Sequence, residues 1–394
     1  MRDEQFQEAL KEATREISKL SELAGYYNNY VAVQVPSICI EYLLQYSGFP
    51  LGCFVCIIGR KASFKSHLSV EIARWLLPYN GYVVLLDTEG GVNPLCRVIL
   101  GDDNLSLETC VYLEDWQTKL TKYSSAFVKM YKEKNMNIPI AFIVDSIVGA
   151  ESRNIGAKID EEGSISSVYP IEAKLISSYL KHKNTILSQY PFLLIGINHI
   201  RDVINPTAGR AEEYIPGGAA LLYHAQLVLK VRKSKKPEYK GNMFETTAVI
   251  TVEKNRLGPE DLSIEVPFCF NQVRTDTGFI MRPEWKWHQA SVDLLAEGVG
   301  VTLRARDKFL KRVSEVLVIG KKNAGRYGLR YYCEQLGISE SDAVSADELM
   351  TALYANQKVL DELRCALMIK PAVFFKQDVP YSKLLHSKPE DGRL

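Results

Sequence analysis

The sequence predicts an α/β protein: a mostly parallel, helix-covered sheet, with an N-terminal helix before it and a small, mainly helical C-terminal domain after it. Three observations carry that expectation. Between about Ser37 and Phe270, short continuous apolar runs alternate with longer amphipathic stretches, as strands buried on both faces and joined by crossover helices require. Two later apolar runs flank the lysine-rich segment KSKKPEYKGN, whose Pro237 and Gly241-Asn242 suit an antiparallel hairpin. After about Gln289 the strand runs give way to helical spacing.

Taken in order, Phe6, Leu10, Ala13, Ile17 and Leu20 form one apolar helical stripe, followed by a linker at Tyr26–Tyr30. The stripe suits a helix folded onto its own domain or one docked on a neighbouring copy. Phe54–Ile58, Tyr82–Leu86, Ile138–Val144 and Pro191–Ile197 are the expected parallel strands. Leu227–Val231 and Thr246–Val252 are the hairpin arms, and Ser66–Leu77 and Ile171–Leu187 are expected helices. Ala305–Val318 and Ala346–Leu353 are helices of the last region. The chain thus divides into an N-terminal helix and linker at 1–34, a core at 35–288 and a helical domain at 289–394.

Composition excludes several classes. With 394 residues, 46% hydrophobic and 24% charged, the chain buries a real core in two or three domains. Runs such as Phe54–Ile58 and Ile140–Val144 fall far short of the roughly 20 apolar residues of a membrane span. The charged N-terminus lacks the apolar stretch of a secretory signal. A net charge of +1 confines any nucleic-acid surface to a local patch. Of eight cysteines, the close pair Cys53 and Cys56 sits inside an apolar run, so the expectation is reduced core thiols in a cytoplasmic protein.

The chemistry gathers at strand ends. After Phe54–Ile58 comes Gly59-Arg60-Lys61-Ala62-Ser63-Phe64-Lys65-Ser66, then His67 and a helix. This is the phosphate-loop pattern G-x-x-x-x-G-K-[ST], with Phe64 in place of the second glycine. Loop N–H groups and the helix N-terminus suit anionic oxygens; Lys65 suits the terminal phosphates and Ser66 a Mg2+ shell. The second strand delivers Asp87-Thr88-Glu89-Gly90-Gly91, the third Asp145-Ser146 and the fourth Asn198-His199. In a parallel sheet these ends converge on one crevice. Glu89 is the candidate for orienting and deprotonating an attacking water, Asp145 for holding magnesium and His199 for sensing the γ-phosphate. A strand-end histidine in a hydrogen-bonded turn is the plainer alternative.

The same residues resemble the RecA family of ATP-dependent DNA strand-exchange recombinases, and more closely its phage UvsX branch, over about Pro36–Trp287. The approach Ser37–Leu44 and Gly48–Gly52, the Ser63-Phe64-Lys65-Ser66 loop, Asp87–Gly91, Asn198-His199, Pro216–Leu221 and Glu253-Lys254-Asn255-Arg256 carry the resemblance. It implies a RecA-like P-loop ATPase core that turns ATP into ADP and phosphate with Mg2+. Glu89 would be the catalytic glutamate, and Lys254 and Arg256 would reach a neighbouring subunit's ATP. Two departures stand out: Cys96 falls near the adenine-stacking tyrosine, and Ala219 replaces the asparagine after the paired glycines.

For DNA, two segments follow the third and fourth strands, Glu151–Tyr169 and Ile200–Gly218. The second carries Ile200, Arg201, Arg210, Gly217 and Gly218. Between them Lys174, Ser177 and Lys181 share a helical face; Ser177 and Lys181 line up with family positions on the DNA backbone. Lys230–Lys240 concentrates positive charge, either to gather duplex or to protect a sheet edge. The resulting expectation is a filament on single-stranded DNA that pairs it with homologous duplex, helped by mediator and single-strand-binding proteins, in the cytoplasm of a phage host. A ring helicase or a non-hydrolysing DNA-coating protein are the alternatives.

Overall fold

A computed structural model describes residues 31–90, 95–134, 136, 138–153, 169–204, 211–217, 219–234, 238–240, 243–275, 278–297, 336–337 and 345–375. The chain enters through β1 (Val31–Val33), α1 (Ile38–Leu44) and β2 (Phe49–Pro50). It then alternates: β3 (Cys53–Gly59), α2 (Lys65–Arg74), β4 (Tyr82–Asp87), α3 (Leu95–Leu100), β5 (Leu105–Thr109), α4 (Leu113–Lys134), β6 (Ile140–Asp145), α5 (Tyr169–Leu187) and β7 (Phe192–His199). A short hairpin, β8 (Arg201–Ile204) with β9 (Ala211–Tyr214), leads to α6 (Ala219–His224). The antiparallel part follows as β10 (Leu227–Lys233), β11 (Glu238–Lys240), β12 (Met243–Asn255), β13 (Ser263–Thr275) and β14 (Gly278–Trp285). The last described elements are α7 (Trp287–Glu297), α8 (Ala346–Ala355), α9 (Gln357–Ala366) and β15 (Val373–Phe374).

The main sheet runs β14-β13-β12-β10-β3-β7-β6-β4-β5, with β11 on β12. From β10 to β5 every pairing is parallel; from β10 to β14 every pairing is antiparallel. Alternate residues of each central strand face opposite layers. Val55, Ile57, Leu85 and Ile143 enter the core beneath α1 and α2, while Phe54, Cys56, Leu86 and Phe142 enter the one beneath α4 and α5. Both faces are apolar, which is why these strands read as unbroken hydrophobic runs. Cys53 and Cys56, three apart in a strand, fall on opposite faces and cannot act as one ligand pair. Six described cysteines are buried free thiols and Cys365 is exposed.

The architecture is the expected α/β class, with differences at its margins. β10 is more than a hairpin arm, since it also pairs in parallel with β3. β13 was not anticipated: Ile264 and Val266 alternate with Ser263 and Glu265, and Pro267 interrupts the apolar stretch that continues through Phe268 and Cys269. The segment expected as the loop Ile200–Gly218 contains the β8–β9 hairpin. The helices expected at the N-terminus and at Ala305–Val318 lie outside the described residues.

The last described segment packs back on the first. Leu349, Met350, Leu353, Leu360 and Leu363 share one core with Val33, Ile38 and Leu43, and β15 pairs in parallel with β1. The α1 carboxylate of Glu41, fully buried, takes two hydrogen bonds from Arg364 of α9 at 2.8 and 2.7 Å. A paired, bidentate geometry is what a buried charge requires.

Candidate nucleotide site

The loop between β3 and α2 is shaped by its backbone. A Cβ on Gly59 would stand 2.4 Å from the Val231 carbonyl oxygen and 2.5 Å from Ser63 Oγ, so only glycine fits there. Ala62 and Phe64 take left-handed conformations, at φ 59° and 70°. For Phe64 that conformation costs about 1–2 kcal/mol. Its ring is buried, 4.3 Å from Phe268 and 6.5 Å from Trp285 between centroids, with Lys233 Nζ 4.9 Å over its face. Burying such a ring stabilises by roughly 1.5–3 kcal/mol, enough to offset the strain. An aromatic anchor thus stands where the motif has a flexible glycine. His67 packs against Phe268 and Phe270, and burial pushes its pKa down to about 4, keeping it neutral.

Lys65, buried, donates from Nζ to the Arg60 carbonyl oxygen at 2.8 Å, curling the loop back on the start of α2. Burial lowers its pKa, and the carboxylates of Asp145 and Glu89 oppose that shift. Ser66 Oγ donates to Asp145 Oδ2 at 2.6 Å. Burial raises Asp145 to about 6; the Ser66 hydrogen bond opposes this, and Glu89 and Asp87 add to it. Ser63 Oγ is buried and has no hydrogen-bond partner among the described residues. Arg60, Lys61 and Ala62 are exposed along the loop's outer rim. An orphan hydroxyl, a buried ammonium and the start of α2 fit a nucleotide's phosphates, and the Ser66–Asp145 pair fits Mg2+.

Register brings the other strand ends alongside. Gly59 of β3 is level with His199 of β7, and Asp87 of β4 with Asp145 of β6. Asp87 Oδ1 accepts the N–H groups of Glu89 and Gly90, each at 3.0 Å, and this turn presents the Glu89 side chain. Glu89 Oε1 lies 2.8 Å from His199 Nε2 and accepts from Ser146 Oγ at 2.9 Å. Burial alone would raise its pKa; the bonds from Ser146 and His199 and the nearby positive charges outweigh that and lower it. The carboxylate therefore stays ionised, oriented by two groups. Three contributors escaped the sequence reading. Ser146, buried, fixes Glu89. Thr88 ties the turn to β6 by bonds with the Ser146 N–H and carbonyl. Gly149 leaves room: a Cβ there would meet Ser146 Oγ at 2.6 Å, Thr88 Oγ1 at 2.7 Å and Glu89 Cγ at 3.2 Å. These contacts span some 60 residues of sequence, so no local motif announces them.

Beyond His199, Ile200 donates its N–H to the Gly59 carbonyl and packs into the core beneath α4 and α5. Arg201 is exposed on β8, while Arg210 and Gly218 lie outside the described residues. Asn198, fully buried, accepts the His199 N–H at 2.8 Å and donates to the Pro216 carbonyl at 2.7 Å, tying the end of β7 to the far end of the segment. Next to it Gly217 takes φ 85° against Val148. Glu213 of β9 pairs with Lys230 at 2.6 Å and faces Arg60 at 3.8 Å.

Lys65, Ser66, Glu89, Asp145 and His199 thus come together in one chain. Lys254 and Arg256 do not join them. Lys254 Nζ donates to the carbonyls of Leu222 and Tyr223 at 2.9 and 2.8 Å, and Arg256 Nη2 to that of Tyr223 at 3.2 Å, at the C-terminal end of α6. Ser177 of α5 is on this side, and Lys174 and Lys181 are exposed on the same helix. Cys96, near where the resemblance places adenine, is buried.

No helix among the described residues is long and apolar enough to cross a membrane. The family model of the RecA N-terminal domain matches residues 5–273. The Protein RecA of Lactiplantibacillus plantarum is 23% identical over 329 residues, covering 80% of this chain and 81% of that protein. That of Malacoplasma penetrans is 25% identical over 332 residues, covering 79% and 93%. That of Thermus thermophilus is 28% identical over 240 residues, covering 60% and 66%. With a parallel sheet whose strand ends carry a phosphate loop, and a domain match over most of its length, the chain belongs to the RecA family.

Proposed function

We propose that the chain is a recombination and repair protein of the UvsX type. It would be a DNA-dependent ATPase that forms helical filaments on single-stranded DNA and exchanges strands with homologous duplex. The observation that carries this reading is the ionised Glu89 held between Ser146 and His199 beside the phosphate loop, His199 being the last residue of β7, the strand that continues into the β8–β9 hairpin. In this reading Glu89 orients and deprotonates the attacking water, and Lys65 neutralises charge on the terminal phosphates. Ser66 and Asp145 would hold Mg2+, which would supply positive charge against that of the phosphates. His199 then exchanges its Glu89 contact for the γ-phosphate, and that movement passes through Asn198 to Pro216 and the hairpin.

Lys254 and Arg256 are bonded to the end of α6 and make no hydrogen bond to Lys65, Ser66, Glu89 or Asp145 among the described residues, which suits a role on a neighbouring protomer's triphosphate and would make hydrolysis depend on assembly. Phe64 and His199, the two positions of the UvsX-like signature, support the phage branch and hence action in a host's cytoplasm with mediator and single-strand-binding proteins. Negative-stain electron microscopy with single-stranded DNA tests the reading: helical filaments are expected with a non-hydrolysable ATP analogue and shorter or no filaments without it. Closed hexameric rings would indicate a ring motor instead.

A further inference from the structure

The end of α6 gathers a group of cations around His224, a residue that plays no part in the nucleotide site. Its Nε2 lies 3.1 Å from Ser177 Oγ of α5. The charged groups acting on the ring are Arg256, just past the end of β12, Lys254 from β12 and Lys181 from α5, all positive; Glu260 acts in turn on Lys254. Lys254 and Arg256 are anchored on the two carbonyls just before His224, so the cluster is a built surface with defined partners. Four side chains expected to serve separate roles thus act on one imidazole: Ser177 touches it, and Lys181, Lys254 and Arg256 set the positive potential it feels.

We propose that His224 is a phosphate contact, at which a phosphate group seated between α5 and the end of α6 is bound by the imidazolium, Ser177 and the flanking cations. The proposal rests on the polynucleotide-binding reading above and adds a proton to it. In the free chain, burial and the three cations depress the His224 pKa, so the ring is neutral near neutral pH. An anion reverses the local potential and favours the charged ring. Once protonated, Nε2–H donates to Ser177 Oγ and leaves the serine hydroxyl proton for a phosphate oxygen. Since the bound pKa exceeds the free one, binding takes up a proton: affinity is greatest below the free pKa and is lost as pH rises through the bound pKa. Each unit of that rise corresponds to roughly tenfold tighter binding.

The phosphate belongs either to a DNA strand or to a neighbouring protomer's nucleotide, and two arms separate these. The first measures binding of fluorescein-labelled oligo(dT) by anisotropy without nucleotide, at constant salt, between about pH 5.5 and 8.5. The second follows assembly by light scattering with magnesium-ATP over the same range. The wild-type chain is expected to bind oligonucleotide roughly tenfold more tightly at the acid end. His224→Gln, which can keep the Ser177 hydrogen bond, is expected to be flat, and His224→Lys flat and tight. A slope abolished by His224→Gln only in the assembly arm assigns the contact to the neighbouring triphosphate. A wild-type slope that His224→Gln retains in both arms, or no slope in either, overturns the proposal. A wild-type chain that binds oligonucleotide at no pH overturns the DNA-binding reading instead, and the assembly arm then decides the histidine alone.

Discussion

Phe64 shows how a single residue can satisfy a motif from which it departs. Its left-handed backbone is the glycine-like conformation the loop needs, and its ring is held by Phe268 and Trp285. Phe64→Ala keeps the backbone strain and loses the packing, so it should cost about 3–5 kcal/mol. Phe64→Gly loses the same packing but relieves about 1–2 kcal/mol of strain, so it should be the milder change. Urea denaturation of both variants checks the order; glycine as the more damaging substitution would exclude this account. At Glu89, replacement by glutamine is expected to reduce phosphate release by roughly 10²–10⁴-fold, as loss of a general base does. A near-normal rate would remove Glu89 from that role. Asp145, raised to about 6 by burial, must lose its proton to take Mg2+. Magnesium-dependent binding of a fluorescent ATP analogue should therefore weaken as pH falls through about 6, while protonation favours the cation-free fold.

At the scale of elements, the site depends on strands ending level with one another. The Gly59–His199 and Asp87–Asp145 registers set the strand-end groups of the candidate site in one row, and the turn after β6 must pass close to Glu89. Gly149→Ala should displace Ser146 or Thr88, the two groups that orient the Glu89 turn, because its methyl group would overlap both and crowd Glu89. We expect a loss of hydrolysis of at least about tenfold with the fold retained, as for a misplaced catalytic group. Unchanged phosphate release, with an unchanged circular dichroism spectrum, would show that the turn yields without moving Glu89. Asn198→Ala removes the link from β7 to Pro216 and leaves buried polar groups unpaired, a cost of about 1–3 kcal/mol. The expected signature is weaker coupling between nucleotide and DNA binding, measured as the change in oligonucleotide affinity on adding an ATP analogue.

For the whole molecule, the first and last described segments close on each other through β1–β15 pairing, a shared core and the Glu41–Arg364 pair. Arg364→Ala would leave a buried carboxylate without its partner and should destabilise by about 3–5 kcal/mol. The double variant Glu41→Met, Arg364→Met should recover most of that loss, since two apolar side chains remove the unpaired charge. Denaturant midpoints distinguish the two, and equal losses would mean that packing, not charge, dominates the contact. The central parallel strands were legible in the sequence because burial on both faces leaves an unbroken apolar run, and Lys65, Glu89, Asp145 and His199 because each sits at or just beyond such a strand's end. β13 was hidden by the alternation at its start and by Pro267 in its apolar stretch, and β10's second pairing by the local look of a hairpin. Ser146, Thr88, Gly149 and His224 act through contacts made only when distant strands and helices meet. Sequence by itself determined which residues carry charge and where the strands stop; tertiary structure alone decided which carboxylate is held ionised, which loop glycine was dispensable and which cations share a surface, because those are matters of distance, burial and field.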